Sequence, residues 1–357
     1  MAQTIWINKA DLSELTIHEE ALPMLGEGEA RLRIESFSVT ANNVTYAVSG
    51  GSFGYWNFFP ADDAFGVVPV WGHAVVEQSR HDALTVGERL YGFLPMATHL
   101  DILPGKITAS GLFDAAAHRL PMSPIYNQYS RLNADPEHDP ARENERMIFA
   151  PLFKTGFLIA SFFAGENWFG AENLVMTSAS SKTSMSLAVC ARRSAPHRKR
   201  IGLTSPGNVA FTIGTGLYDA VLSYDDIARL PQVPSVSVDF AGNSSVLNQI
   251  HTHLGDNLKY SCLVGATHVD GRLGGAGGLT GPKPVLFFAP DHAVAAVRAM
   301  GPKEFGVAVA ESWSIFLDAV DGALTMEERP GILSAGQAYL SILKNEADPA
   351  LGVIIKP

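Results

Sequence analysis

From residue 174 onward the chain alternates short apolar, β-rich runs with helical segments, and this rhythm constrains its fold more than any other feature. The runs "NLVMTSA", "RIGLTS", "YDAVLSY", "PSVSVDFAG" and "LKYSCLVGAT" read as strands; "KTSMSLAVCARR", "PGNVAFTIG" and "SSVLNQIHTHL" read as helices. Strands of this kind separated by helices imply βαβ units, a parallel sheet and right-handed crossovers. An α/β, doubly wound domain follows from the pattern. "PVLFFAP" (284–290), the helical "DHAVAAVRAM" and the terminal "LGVIIKP" (351–357) add further strands and return the chain to the body.

The first hundred residues have a different texture. "ARLRIESFSVT" (30–40) sets Leu32, Ile34 and Phe37 against polar neighbours, the pattern of a half-buried strand. "VVPVWGHAVVEQS" (67–79) reads as a strand pair, and "LTVGERLYGFLPM" (84–96) follows it, with the glycine and proline punctuation that a small barrel of short strands requires. Residues 121–145 are polar, contain proline and show no period, which predicts a long surface loop of the kind that forms lids. "ERMIFAPLFKTGFLIASFFAG" (145–165) is apolar nearly all round and predicts a buried helix at a domain seam, interrupted by Lys154.

A length of 357 residues suits two domains, and 46% apolar with 17% charged residues describes a chain able to bury a sizeable core. The net charge of -10 leaves no overall positive field to draw a phosphate backbone, so nucleic acid is not an expected partner. The basic run "ARRSAPHRKR" (191–200) reads as a solvated helix end and loop. Cys190 and Cys262 lie in apolar segments and read as core; they are too few for a disulfide framework or a four-cysteine zinc site. That scarcity points to a reducing compartment, with the cytoplasm as default. The N-terminus shows no signal-like apolar stretch and no long uncharged apolar run occurs, so no membrane is expected as a partner.

In a doubly wound sheet a dinucleotide sits beyond the carboxyl ends of the strands, its pyrophosphate on the helix that follows the first strand. That places "SASSKTS" (178–184) at the pyrophosphate, in a loop without the customary glycines. Ser180, Ser181 and Thr183 supply small side chains and hydroxyls, and Lys182 supplies positive charge. The serines are equally good helix caps. The second strand ends in "GLTSPGN", where an acid would hold the ribose 2′-hydroxyl of NAD; Thr204, Ser205 and Asn208 stand there instead. With Arg192, Arg193, Arg198, Lys199 and Arg200 near in sequence, NADPH is favoured over NADH. "TSPGN" also reads as a plain turn and cap, with Pro206 at the first helical position.

The order of parts resembles the medium-chain dehydrogenase/reductase superfamily. The resemblance is carried by "EGEARLRIESFSVTANNVTYAVSG" (27–50), "VWGHAVV" (70–76), "LTVGERLYGF" (84–93), "LVMTSASSKTSMSLAV" and "VSVDFAGN" (236–243). "NNVTYA", "YWNFFP", "YNQY", "GLTSPGN" and "VGATH" are similar to a bacterial branch of it known as a domain family of unknown function. The resemblance implies a GroES-like β-barrel catalytic domain over 1–145, a Rossmann-type NADP-binding domain over 146–290 and a C-terminal return over 291–357. Where zinc-dependent members carry a cysteine ligand this chain has Thr40, the acid of that turn falls near Asn43, and the "GHE" motif is reduced to Gly72, His73 and Ala74. The implied enzyme is zinc-free, with no metal site, and His73 reads as a hydrogen-bonded structural residue.

Without a metal, hydride transfer to a carbonyl, quinone or activated alkene needs a hydrogen-bond donor and a proton source. Tyr46, after the Asn42–Asn43 turn, is the first candidate and Tyr55 the second; Asn43 would orient substrate or water. An aromatic loop packed for structure is the competing account of both tyrosines. By the same resemblance Thr155, at the head of the apolar helix, faces the nicotinamide end. Lys154 beside it either contacts phosphate or lies along the surface. Ala241 and Gly242 close one strand, Gly265 and Ala266 another, and Phe288 with Ala289 lines the nicotinamide pocket. Tyr126, Asn127, Tyr129 and Arg131 look like a substrate lid, or a polar surface turn. The expected protein is an NADPH-dependent reductase of a small molecule, as a homo-oligomer. The alternative is a reductase-like dinucleotide sensor or partner-binding protein without activity.

Overall fold

The computed structural model describes residues 1–264 and 278–357. The chain divides into two units, Met1–Ile148 with Thr325–Pro357, and Phe149–Leu324. The segment expected as one C-terminal return over 291–357 is therefore split between them. All statements below concern the described residues.

In the first unit β1 (Ala2–Asn8) pairs antiparallel with β2 (Leu15–Glu20) and with β4 (Phe65–Gly66). The larger sheet is built on β3 (Ala30–Ser38), β5 (Pro69–Ser79), β6 (Arg89–Pro95), β7 (His99–Ile102), β8 (Pro104–Gly105), β9 (Gly111–Asp114) and β10 (Gln128–Arg131). Leu32 and Ile34 of β3 are buried, as their alternation predicts, and Phe37, out of phase with them, is buried beyond a register shift between Ile34 and Ser36. The "VVPVWGHAVVEQS" stretch forms one long strand, β5, rather than two, bonded to β3 on one side and β6 on the other. The chain ends with β17 (Thr325–Pro330) and β18 (Leu351–Lys356), which pair in parallel; β18 then pairs antiparallel with β3, Ile354 opposite Ser38. Between them the last helix, Ile332–Leu343, buries Ile332, Ala335, Ala338 and Tyr339 in the same core as Ile5 and Ile7.

Trp56 fixes the loop between β3 and β4. A Cβ added at Gly50 would lie 2.0 Å from its ring, and one at Gly66 would lie 2.3 Å away, so the indole seats only where both neighbours lack side chains.

The segment 121–145 corrects the expectation of a surface loop. It contains β10, three turns of 3₁₀ helix at Pro124–Tyr126, Leu132–Ala134 and Pro140–Arg142, and the start of α2 (Glu143–Gly165). The segment packs on a fully buried cation that precedes it: Arg119 is 0% exposed and reaches Asp114, Asn127 and Tyr129. Paired polar groups of this kind sit inside a core without leaving an apolar period in the sequence.

Helix α2 follows α1 (Ala41–Val48) in the chain and carries Pro151 inside it. Proline has no N–H for the carbonyl four residues earlier, that of Met147; Ser38 Oγ donates to that carbonyl at 2.7 Å. The stretch Pro140–Gly165 is long and apolar enough to cross a membrane by length and composition, despite Lys154. Of its most apolar window, 56% is buried inside the protein, as in a core helix.

The second unit holds β11 (Asn173–Met176), β12 (Lys199–Thr204), β13 (Ala220–Ser223), β14 (Ser235–Asp239), β15 (Leu258–Val264) and β16 (Val285–Phe287). All pairings are parallel, in the order β13-β12-β11-β14-β15-β16. That is the doubly wound order 3-2-1-4-5-6, with its switch point between β11 and β14. Its connections include α3 (Lys182–Ser194), α4 (Val209–Gly214), α5 (Ser244–Leu254) and α6 (Ala289–Met300), followed by α7 (Pro302–Ala319). Val175, Ile201, Leu203, Val246, Ile250 and Leu254 form the core on one side of the sheet.

Candidate functional site

The switch point is stitched by polar side chains. Thr177 follows β11 and Asp239 ends β14; Thr177 Oγ1 donates to Asp239 Oδ1 at 2.7 Å and accepts the amides of Phe240 and Ala241. Asp239 Oδ1 also accepts the amides of Ala241 and Gly242, at 3.0 and 3.2 Å. These bonds hold Ala241 and Gly242 at the strand ends, as expected, by using their N–H groups internally.

The loop after β11 is held just as closely. Ser178 takes a left-handed φ of 47°, its amide donating to Tyr224 Oη at 2.9 Å. Tyr218 Oη reaches Ala179 O at 2.7 Å and Ser184 Oγ at 2.9 Å. Ser181 is the N-cap of α3 and accepts from Ser184 N. Ser180 Oγ meets Asn208 Nδ2 at 3.1 Å and Thr204 Oγ1 at 3.4 Å, which joins the loops after β11 and β12. Ser205 precedes Pro206 at the start of a short 3₁₀ turn, Pro206–Asn208. Hydroxyl bonds thus fix this loop where a glycine loop relies on backbone freedom. Lys182 and Thr183 occupy the first turn of α3, where helix amides have no intrahelical acceptor.

The basic run does not lie at this end of the sheet. Arg192 and Arg193 are in the last turn of α3, and Lys199 and Arg200 begin β12, whose carboxyl end is Thr204. Six extended residues separate the two ends by roughly 17 Å. Arg200 pairs with Asp219 at 2.6 Å, Arg193 with Glu311 at 3.3 Å, Arg192 donates to Gly216 O, and Arg198 lies over the Trp168 ring. Nearness in sequence to Thr204 is therefore not nearness to a 2′-phosphate there.

Other expected positions are spread through the second unit. Thr155 is half-buried in the middle of α2, not at its head, because the helix starts at Glu143. Its neighbour Phe153 accepts from Ser186 Oγ of α3 at 3.0 Å. Phe288 is 44% exposed and caps α6, which begins at Ala289. Gly265 and Ala266 lie outside the described residues.

In the first unit three tyrosines converge. Tyr46 is buried on α1, and its Oη accepts from Asn42 Nδ2 at 2.6 Å and from Trp71 Nε1 at 3.2 Å. Tyr126 Oη lies 3.2 Å from Tyr55 Oη, and its ring stands edge-on to that of Tyr46 with centroids 6.3 Å apart. Phe58 and Phe93 wall the cluster, their rings 5.4 and 4.7 Å from that of Tyr126. Burial pushes all three phenols above their ordinary range, and Tyr126 lies well above it with both other tyrosines beside it. Tyr46 and Tyr55, weighed as alternatives from the sequence, belong to one group.

Asn43 does not join them. Its Oδ1 accepts from Thr40 N at 2.6 Å and its Nδ2 donates to Pro69 O at 2.8 Å, so it caps α1 and anchors that helix to β5, out of reach of substrate at 2% exposure. Of the expected lid, only Tyr126 remains near the candidate site. Asn127 is buried and exchanges two bonds with Arg119; Tyr129, also buried, accepts from Arg119 and donates to Phe93 O. Burial raises the Tyr129 phenol to about 12. Arg131 pairs with Glu88 and donates to Ala83 O and Thr108 O. These three are sheet and core residues.

His73 is 0% exposed, and neither ring nitrogen has a hydrogen-bond partner, contrary to the bonded role its position suggests. Desolvation drives its pKa down to about 3. Among the described residues no three His, Cys, Asp or Glu side chains are grouped to share a metal ion.

Sequence reading missed Thr177, Asp239, Tyr218, Tyr224, Asn42, Trp71 and Arg119. The one usable signal was position: Asp239 ends one central strand and Thr177 directly follows the other.

The fold is shared with solved reductases. CurA from Vibrio vulnificus in complex with NADPH matches with a TM-score of 0.59 at 12% identity, over 99% of this chain and 98% of that one. The yhdH oxidoreductase from Salmonella enterica in complex with NADP matches with a TM-score of 0.55 at 12% identity, each chain covered in full. A putative NADPH:quinone reductase from Bacillus thuringiensis matches with a TM-score of 0.57 at 11% identity, over 100% of this chain and 99% of that one. These neighbours are medium-chain reductases with a GroES-like and a Rossmann domain, and this α/β chain has their fold. No curated protein matches in sequence. Residues 37–348 match the family described as "Protein of unknown function (DUF2855)". The chain belongs to the DUF2855 family.

Proposed function

We propose that the protein is an NADPH-dependent, zinc-free oxidoreductase that transfers hydride to a carbonyl, quinone or activated alkene of a small molecule. The observation that carries this reading is the hydroxyl-rich loop Ser178–Ser184, fixed by Tyr218, Tyr224 and Asn208 at the switch point of a 3-2-1-4-5-6 sheet. The residues present fit a dinucleotide. The first turn of α3 with Lys182 and Thr183 suits the pyrophosphate, and no carboxylate closes β12 to repel a 2′-phosphate. NADP or NADPH in the solved neighbours supports the same choice. The bound dinucleotide would supply hydride from its nicotinamide. Thr177 and Asp239 would keep the strand ends apart at fixed spacing, Thr155, Phe288 and Ala289 would border the nicotinamide, and the tyrosine group would supply the proton.

Cys190 and Cys262 are free and buried, which accords with a cytoplasmic setting. A homo-oligomer completes the reading and is open to light scattering.

Titration of folded protein with NADPH and NADH tests the coenzyme; NADPH consumption with quinones, enones, aldehydes and acyl thioesters tests the reaction. No heat of binding for either dinucleotide would sink the reading. The internal use of the loop's serines favours one alternative, a dinucleotide sensor. Tight NADPH binding with no turnover across those acceptors would select it.

A further inference from the structure

Tyr218 stands close before β13 and Tyr224 directly after it, and both reach back to the loop that follows β11. Ala179 O can only accept, so Tyr218 donates its one proton there at 2.7 Å, and the Ser184 hydroxyl then donates to Tyr218 Oη at 2.9 Å. Tyr218 thereby ties the start of the loop to the first turn of α3. Tyr224 Oη accepts the amide of Ser178 at 2.9 Å. That residue is left-handed, with a φ of 47°, a strained state for a side chain other than glycine that persists only where its surroundings bond it in place. The amides of Ala179, Ser181 and Ser184 are also spent inside the unit, on Leu203 O, Ser178 O and Ser181 Oγ. Gly202 of β12 makes the room for this arrangement: a Cβ there would lie 2.7 Å from Ala179 Cβ and 3.0 Å from Tyr218 Cδ1.

We infer that Tyr218 and Tyr224 are positioning residues of the dinucleotide site, a latch that acts through the loop and holds Ser178–Ser184 in the one shape that receives the pyrophosphate. The inference rests on the reductase reading above for the identity of the ligand. A glycine loop takes up its shape by backbone freedom. Here two phenols from the far side of β12 impose the shape on residues that would not adopt it alone. The two held points, Ser178–Ala179 and Ser184, bracket Ser180, which is itself joined to Asn208 at 3.1 Å. A loop ordered before the ligand arrives loses little freedom on binding, so the latch contributes to affinity without touching the ligand. Removing either hydroxyl keeps the aromatic ring in its place and lets the loop sample other shapes. The cost then appears when the dinucleotide has to order it again.

The test is calorimetric titration of NADPH into full-length Tyr218→Phe and Tyr224→Phe, with thermal melts showing that each is folded. NADPH affinity falls about tenfold in each, the worth of one neutral hydrogen bond. With an enone as acceptor the loss falls on the KM for NADPH rather than on kcat, which a general loosening of the fold would not produce. Ser184→Ala removes the Tyr218 bond from its other side and gives a similar loss, and the two changes together cost less than their sum. Should Tyr218→Phe not fold, Ser184→Ala carries the same test. Ser178→Gly frees the left-handed φ of strain, so Tyr224→Phe costs less in that background than in the wild type. Unchanged NADPH affinity in the folded variants, or full additivity in both pairs, overturns the latch and leaves the reductase reading standing. Wild-type protein that binds neither NADPH nor NADP overturns the reading and the latch with it.

Discussion

Thr177 and Asp239 bridge the two central strands of the parallel sheet, hydroxyl to carboxylate over 2.7 Å, at the point where a doubly wound fold receives its ligand. Because Thr177 Oγ1 also accepts two amides, its loss leaves several buried groups short of a partner. Thr177→Val keeps the shape and removes those bonds. Urea unfolding should show a loss of about 1–3 kcal/mol, with NADPH binding weakened in parallel.

The loops after β11 and β12 share Ser180, so a change in one should be felt through the other. Asn208→Ala is expected to weaken NADPH binding by up to about tenfold, the worth of a neutral hydrogen bond. Lys182→Ala should weaken it further by removing charge, with the thermal midpoint little altered. Calorimetric titration and thermal melts check both; unchanged affinity in Lys182→Ala would return this stretch to the role of a helix cap.

His73 makes stability depend on acid in a definite sense. Its folded pKa, about 3, lies below the ordinary 6.5, so the folded state binds fewer protons than the unfolded chain. No penalty applies above about 6.5, and stability falls as pH drops from there toward 3. Glu143 works in the same direction over a lower window: burial opposes its charge, yet bonds from Arg89 and His138 bring it from 4.5 to about 2. His251 is also lowered by burial and contributes its own slope. His73→Leu should therefore flatten, but not abolish, the fall in urea midpoint between pH 6.5 and 4.5. At pH 7 the same variant should be neutral or more stable, since it removes two buried polar atoms without partners.

Arg119 is the most exposed of these cases to simple deletion, because its removal strands a buried carboxylate. It pairs with Asp114 at 3.0 Å, both side chains 1% exposed. Arg119→Met should cost about 3–5 kcal/mol in urea unfolding, and Asp114→Asn added to it should recover part of the loss. Full additivity of the two would show that the pair does not interact.

The parts legible in the sequence were those governed by apolar period. The strand runs from 174 onward, the alternation of β3 and the long apolar helix all bury what their patterns say they bury. What stayed hidden was polar and tertiary. Asn127 and Tyr129 look like loop residues until Arg119, far from them in character, is found buried among them. Asn43 reads as a site residue and is a helix cap, because an asparagine after a turn suits both. The arginines near Thr204 in sequence stand at the other end of the strand, since a strand separates its ends faster than any other element. The Ser178–Ser184 loop joins the first parallel strand to its helix, as the order of segments says, but its fixing by Tyr218 and Tyr224 comes from residues about forty positions away.

The seat of Trp56 between Gly50 and Gly66 has a consequence for descent. Tyr55 precedes the indole by one residue, so whatever displaces the ring carries the tyrosine with it. Single substitutions at either glycine are closed to drift; the tryptophan must shrink first, and only then does either position become free to vary. Relatives that keep the tryptophan should therefore keep both glycines, whereas those that have lost it should show side chains at one or both positions.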